Sequence, residues 1–159
     1  MERKTSVQAE DGKQEIIVTR EFDLPVEVLF RAYVEPELVE QWMGTNVLKL
    51  ENKIYGSWHF ETTDPKGNTY AFSGVIHEFC PNQRITRTFQ MERMPASGAQ
   101  FPVQLEFIEF VSLTKHTSKL LMHIVFKSVD LRDQMVRLPF AQGLNWAHNR
   151  LQTIVGQLN

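Results

Sequence analysis

Arg87 stands in the stretch RITRTFQM, Arg84 to Met91, where strand alternation puts it on the same side as Ile85 and Phe89. A guanidinium on an apolar face needs a partner, because an unpaired buried charge is very unfavourable. Two readings follow. Arg87 anchors a ligand carboxylate or phosphate, or it closes an internal ion pair with a glutamate such as Glu109. A strand twist that lets the side chain snorkel outward is a variant of the second reading. Tyr70, Arg87 and Glu109 are the polar residues that alternation offers to an interior, so acid–base chemistry would have to use them.

Other chemistry finds less support. His59, His77 and His123 fall on strand-like segments, opposite Trp58, Ile76 and Met122, which places them on a wet face. His116 sits in a loop, and His148 is expected on the outer flank of a terminal helix. No HExxH motif and no histidine pair at i, i+4 is present, so no metal site is expected. Cys80 precedes Pro81 in a turn and reads as an inert thiol. As the single cysteine it allows neither an internal disulfide nor a cysteine-based zinc pattern. GxSxG is absent, and Glu78 with Glu109 make a carboxylate pair only if the fold brings them together. No residue is assigned as catalytic, and no motif calls for a cofactor.

The chain has 159 residues, a length that favours one domain, expected over residues 14–159 after a loose tail at 1–13. A net charge of −2 gives no electrostatic case for nucleic acid or for an anionic membrane. The opening MERKTSVQAEDGKQE lacks the apolar core of a signal peptide, and no window approaches a membrane span. A cytoplasmic, reducing setting is the resulting expectation.

The elements that must position these residues can be read from periodicity. IIVTREF, Ile16 to Phe22, is a strand whose inner side carries Ile16, Val18 and Phe22, with Arg20 as the odd member. Asp23 is a candidate helix cap and Pro25 suits a first turn. Val26, Leu29, Phe30 and Tyr33 then recur at helical spacing, and Pro36 separates a second short helix ending at Trp42. Strand signals dominate from Val47 to about Phe126, broken by the turn-forming DPKGN and CPNQR. The last 30 residues are helical, with Asp130 as candidate cap and Pro139 as either start or kink.

Alternation groups Trp58 with Phe60; Tyr70 with Phe72, Gly74 and Ile76; Val103 with Leu105 and Phe107; and Leu120 with Met122, Ile124 and Phe126. Opposite them lie mostly Thr, Glu, Gln, Lys and His. One apolar face and one wet face describe an antiparallel sheet. The terminal helix offers a matching stripe of Phe140, Leu144, Ala147, Leu151, Ile154 and Leu158. It is therefore expected to lie across the apolar face.

Three stretches carry a family resemblance. TREFDLPVEVLFRAYVEPELVEQW, GSWHFETTDPKGNTYAFSGVIHEFCPNQRITRTF and RDQMVRLPFAQGLNWAHNRL occur in order between Ile16 and Leu158. Together they resemble the START-like (SRPBCC) superfamily, and within it the domain similar to the C-terminal part of the Hsp90 ATPase activator. The resemblance implies an α+β helix-grip fold. About six antiparallel strands would wrap around a long C-terminal helix, with two short helices after the first strand. It also implies a space between sheet and helix that takes apolar small molecules. The activator's separate N-terminal Hsp90-binding domain has no counterpart here, so direct Hsp90 activation is not expected.

A dry void of ~500 Å³, at roughly 24 cal/mol per Å³, would cost on the order of 12 kcal/mol. That matches the whole stability of a domain, about 5–15 kcal/mol. Such a space must hold side chains, water or a ligand. The residues expected to line it are Trp42, Trp58, Phe60, Tyr70, Phe72, Arg87, Phe89, Phe107, Met122, Phe140 and Leu144. The leading expectation is a binder of an apolar or amphipathic ligand. A cyclase-type enzyme using Tyr70 or Arg87 is the first alternative. A chaperone-associated interaction module is the second, with a partner or homodimer surface at Trp146 or around Met94 to Phe101.

Overall fold

The computed structural model describes residues 3–92 and 103–158. Its elements run β1 (Ser6–Gln8), β2 (Glu15–Phe22), α1 (Val26–Val34), α2 (Pro36–Met43), β3 (Asn46–Leu50), β4 (Ser57–Thr63), β5 (Thr69–Cys80), β6 (Arg84–Met91), β7 (Gln104–Ser112), β8 (Ser118–Val125), α3 (Val129–Arg137) and α4 (Phe140–Gly156). All neighbouring strands pair antiparallel, in the order β1-β2-β8-β7-β6-β5-β4-β3. The α+β helix-grip architecture agrees with the expectation, but the sheet has eight strands rather than about six.

The two strands beyond the expected six, β1 and β3, are the two edges, and β3 spans Val47, where strand signals were expected to start. An edge strand pairs on one side only and buries little, so it carries no strong apolar period. SVQ and NVLKL indeed hold only exposed and half-buried positions. Strand β1 lies inside the stretch expected to be a loose tail, and it holds register Ser6↔Thr19 through Gln8↔Ile17.

On β2 the buried positions are Ile16, Val18, Arg20 and Phe22, as alternation predicts. On β7 the phase is the reverse of that expected. Gln104, Glu106, Ile108 and Phe110 point inward, and Phe107 is 38% exposed on the outer face beside His123. The strand is apolar on both sides, so hydrophobicity does not select a phase; pairing Arg87 opposite Glu106 does.

Helix boundaries also shift. Pro25 occupies the cap position of α1 without a side-chain cap, and Asp23 instead meets Arg3. Ser128, not Asp130, caps α3 by accepting from the Leu131 amide. Pro139 separates α3 from α4, so the terminal region is two helices. The α4 stripe buries Leu151 and Val155 completely, while Leu158 is 51% exposed beyond the helix end.

His148 is the largest departure. It is fully buried, not on an outer flank, with Phe22 edge-on at 5.6 Å and Trp42 at 6.4 Å. It belongs to the row Leu144, His148, Leu151, Val155, which a polar residue type disguised. Its Nδ1 lies 2.7 Å from Thr5 Oγ1. The Thr5 amide donates to Asn145 Oδ1, and Arg20 Nη1 donates to both Thr5 Oγ1 and Asn145 Oδ1. This polar cluster ties the chain start to α4. Burial pushes the His148 pKa down to about 3, and the neighbouring Arg20 charge adds to the effect.

Candidate functional site

Between the sheet and the helices lies a cavity of about 290 Å³. Tyr33 enters it from α1, and Trp42 and Met43 from α2. The sheet contributes Arg87, Phe89 and Met91 from β6, Gln104 and Glu106 from β7, and Met122 and Ile124 from β8. Met135 of α3 and Phe140, Leu144 and Ala147 of α4 complete it. Two other clefts, of about 510 and 480 Å³, are lined chiefly by polar or exposed groups such as Glu37, Glu40 and Gln41, or Lys49, His59 and Gln90. The apolar lining with a few converging polar groups, in a space more enclosed than the other two, singles out the first cavity, although its size is at the small end of ligand pockets.

Of the residues expected to line such a space, Trp42, Arg87, Phe89, Met122, Phe140 and Leu144 do so. Trp58, Phe60 and Phe72 instead pack as an aromatic group. Trp58 meets Phe60 at 4.8 Å and Phe89 at 5.5 Å, and Phe72 meets Phe89 at 5.6 Å. Tyr70 reaches Asp64 in its own hairpin through its hydroxyl, and Phe107 faces away from the interior. Trp42 both lines the cavity and anchors the core, donating from Nε1 to the Ala32 carbonyl at 2.7 Å.

The polar floor is an ion pair. Arg87 Nε donates to Glu106 Oε1 at 2.8 Å, both side chains being almost fully buried. Gln104 Nε2 approaches the other carboxylate oxygen at 3.4 Å. The Arg87 guanidinium also lies over the Trp58 ring, 4.6 Å from its centroid. Gly74 makes room for that ring: a Cβ there would stand 1.9 Å from the Thr88 carbonyl oxygen and 2.6 Å from Trp58 Nε1. The partner of Arg87 is thus Glu106 and not Glu109, which sits exposed on the opposite face of β7.

Tyr33 faces the same pair. Burial raises its phenol pKa above the ordinary value; the Arg87 charge opposes this and the Glu106 charge adds to it. The phenol therefore stays protonated and is a donor at neutral pH. Among the described residues, no group of three or more His, Cys, Asp or Glu side chains forms a metal cluster. His77 packs against Tyr55, while His59 and His123 face Glu92 and Glu15 on separate strands.

Glu106, Gln104 and Tyr33 were not anticipated at the site. A signal for Glu106 existed: Arg87 on an apolar face requires a carboxylate on a neighbouring strand, and Ile108 with Phe110 supports the phase that turns Glu106 inward. Met43, Met91 and Met135 were also missed. With Met122 they make four of the chain's six methionines cavity residues, and flexible thioethers suit an irregular space.

The surface patches give a mixed picture. Trp146 is 62% exposed on α4. The alternative patch around Met94 to Phe101 lies outside the described residues. No helix among the described residues is long and apolar enough to cross a membrane.

Comparison with solved structures shows the same fold. A Mycobacterium smegmatis protein aligns with TM-score 0.82 at 17% identity, covering 95% of this chain and 96% of that one. A Rhodobacter sphaeroides protein gives 0.83 at 16% identity, covering 96% and 99%. An Arthrobacter aurescens protein gives 0.83 at 14% identity, covering 96% and 91%. At such identities the likeness concerns the fold alone. Among curated proteins, none matches the chain. A family profile, described as activator of Hsp90 ATPase homolog 1-like protein, matches residues 23–156, and the chain belongs to that family.

Proposed function

We infer that this chain is a small-molecule-binding protein whose ligand is apolar or amphipathic and sits between the sheet and α4. The observation that carries this reading is the 290 Å³ cavity, with its methionine-rich wall and single polar floor. An apolar wall supplies affinity by area removed from water, and a few polar groups fix orientation. Four methionines allow the wall to adjust to more than one shape.

Catalysis has weaker support. The expected participant Tyr70 is outside the cavity, and Glu106 is held by Arg87 and Gln104. A protein-docking role, the other alternative, draws on exposed apolar side chains such as Trp146.

The test fills the cavity. Ala147→Phe places a ring into the space from α4, and uptake of the apolar dye Nile red is measured by fluorescence against the wild-type protein. The expected result is binding by the wild type and its loss in the variant, with unchanged circular dichroism. Equal binding by a folded variant would move the ligand away from this cavity. Native mass spectrometry of freshly purified protein, compared with a denaturing spectrum, identifies any molecule retained there.

A further inference from the structure

The charge balance of the cavity floor narrows the ligand class, an inference that rests on the binding reading above. We propose that the ligand is uncharged: an apolar body bearing a hydrogen-bond acceptor such as an ester, ketone or amide carbonyl, received by the Arg87 guanidinium and not replaced by a carboxylate or phosphate.

Arg87 supplies one positive charge and Glu106 one negative charge, 2.8 Å apart, so the floor is already neutral. These are the cavity's only ionisable side chains besides the Tyr33 phenol among the described residues. An anionic head group would be attracted to Arg87 and repelled by Glu106 beside it, while losing its water. The added charge would remain uncompensated in an apolar surround. An ammonium group meets the converse difficulty, because Glu106 already accepts from Arg87 Nε on one oxygen and faces the Gln104 amide at 3.4 Å on the other.

A neutral acceptor needs no change in that balance. Among the described residues, the one hydrogen-bond partner of the Arg87 guanidinium is Glu106, and it is engaged through Nε. The ring of Trp58 covers one face of the guanidinium but takes none of its N–H bonds. The terminal Nη groups can therefore donate to a ligand carbonyl while Nε keeps the ion pair. Such a bond, with a charged donor at a buried position, is stronger than one between neutral groups. Tyr33, protonated in its buried position, is a second donor on the same wall.

Three probes of similar apolar length separate the cases: methyl octanoate, octanoate and octane, titrated into the wild-type protein at neutral pH by calorimetry. Methyl octanoate is expected to bind roughly ten- to a hundredfold more tightly than octane, the range of one hydrogen bond to a charged donor. It should also bind more tightly than octanoate. The same titrations on the double variant Arg87→Met with Glu106→Leu remove both charges together, so neither is left unpaired. There the preference of ester over octane should vanish while octane still binds. Octanoate binding as tightly as the ester in the wild type would overturn the neutral-ligand proposal and leave the binding reading standing. An ester preference that survives in the folded double variant would also overturn it. Failure of all three probes, octane included, would overturn the binding reading as well.

Discussion

Helix α4 starts over the cavity with Phe140, Leu144 and Ala147 and finishes in closed packing with Leu151 and Val155. Residue type does not separate the two ends, since Leu144 and Leu151 are the same side chain on one stripe. Their neighbours do. Around the last turns, Phe22 meets His148 edge-on and Leu24 lies beside Gly156, and Phe22 and Leu24 are fully buried. Around the first turns, methionines from α2, α3, β6 and β8 meet across a gap.

Buried arginines sharpen the contrast. Arg20, on the closed side, reaches Thr5, Asn145 and the Glu21 carbonyl, and its guanidinium also lies over Phe22. Arg87, on the open side, meets one carboxylate through Nε, stacks on the Trp58 ring and lines the cavity. A cation satisfied from several directions holds structure together. One held at a single nitrogen keeps donors for something else.

Breaking the floor should have the largest effect. Glu106→Leu strands the Arg87 charge and should lower stability by roughly 3–5 kcal/mol in urea unfolding. Adding Arg87→Met should recover most of that loss, because two apolar groups replace a complete pair. A double variant as unstable as the single one would show that the floor does more than neutralise itself.

At the closed end, Leu151→Ala should cost about 2–5 kcal/mol, the range for a buried leucine in tight packing. A smaller loss would mean that the last turns are looser than their burial implies.

His148 predicts a pH dependence on the closed side. Its folded pKa is depressed to about 3 from an ordinary 6.5, so the fold holds it neutral while the unfolded chain takes up a proton. Its contribution is therefore complete above the unfolded value and is lost as pH falls toward the folded one. The slope should approach 1.4 kcal/mol per pH unit between about pH 6 and 5, before most carboxylates titrate. His148→Phe should flatten that part of the stability curve relative to the wild type. An unchanged slope would assign the acid sensitivity to other groups.

The smallest effect belongs to the open end. Leu144→Ala should change stability by less than about 1 kcal/mol, since its side chain borders existing space and is only partly buried. It should nevertheless weaken Nile red binding. A loss equal to that of Leu151→Ala would erase the distinction between the two ends of α4.

Much of the fold was legible because its signals are local. Apolar spacing in α1 and α2, the break at Pro36 and the alternation of β2, β6 and β8 can each be read within a dozen residues. The errors fall where the deciding partner is distant. The polar edge strand β1, read as part of a loose tail, needs β2 beside it to become a strand at all. The two-sided apolar strand β7 takes its phase from Arg87, and His148 is inside because Thr5 supplies a bond to its ring.

By itself, then, the sequence determined the order of elements, the inward side of most strands and the presence of one arginine that needed an answer. Tertiary structure alone decided that Glu106 answers it, that Trp58, Phe60 and Phe72 join Phe89 in one aromatic group, and that the space left over is lined by methionine. The physical reason is range. Periodicity is set by neighbours along the chain, whereas a cavity and a charge pair depend on distances between segments that only folding brings together.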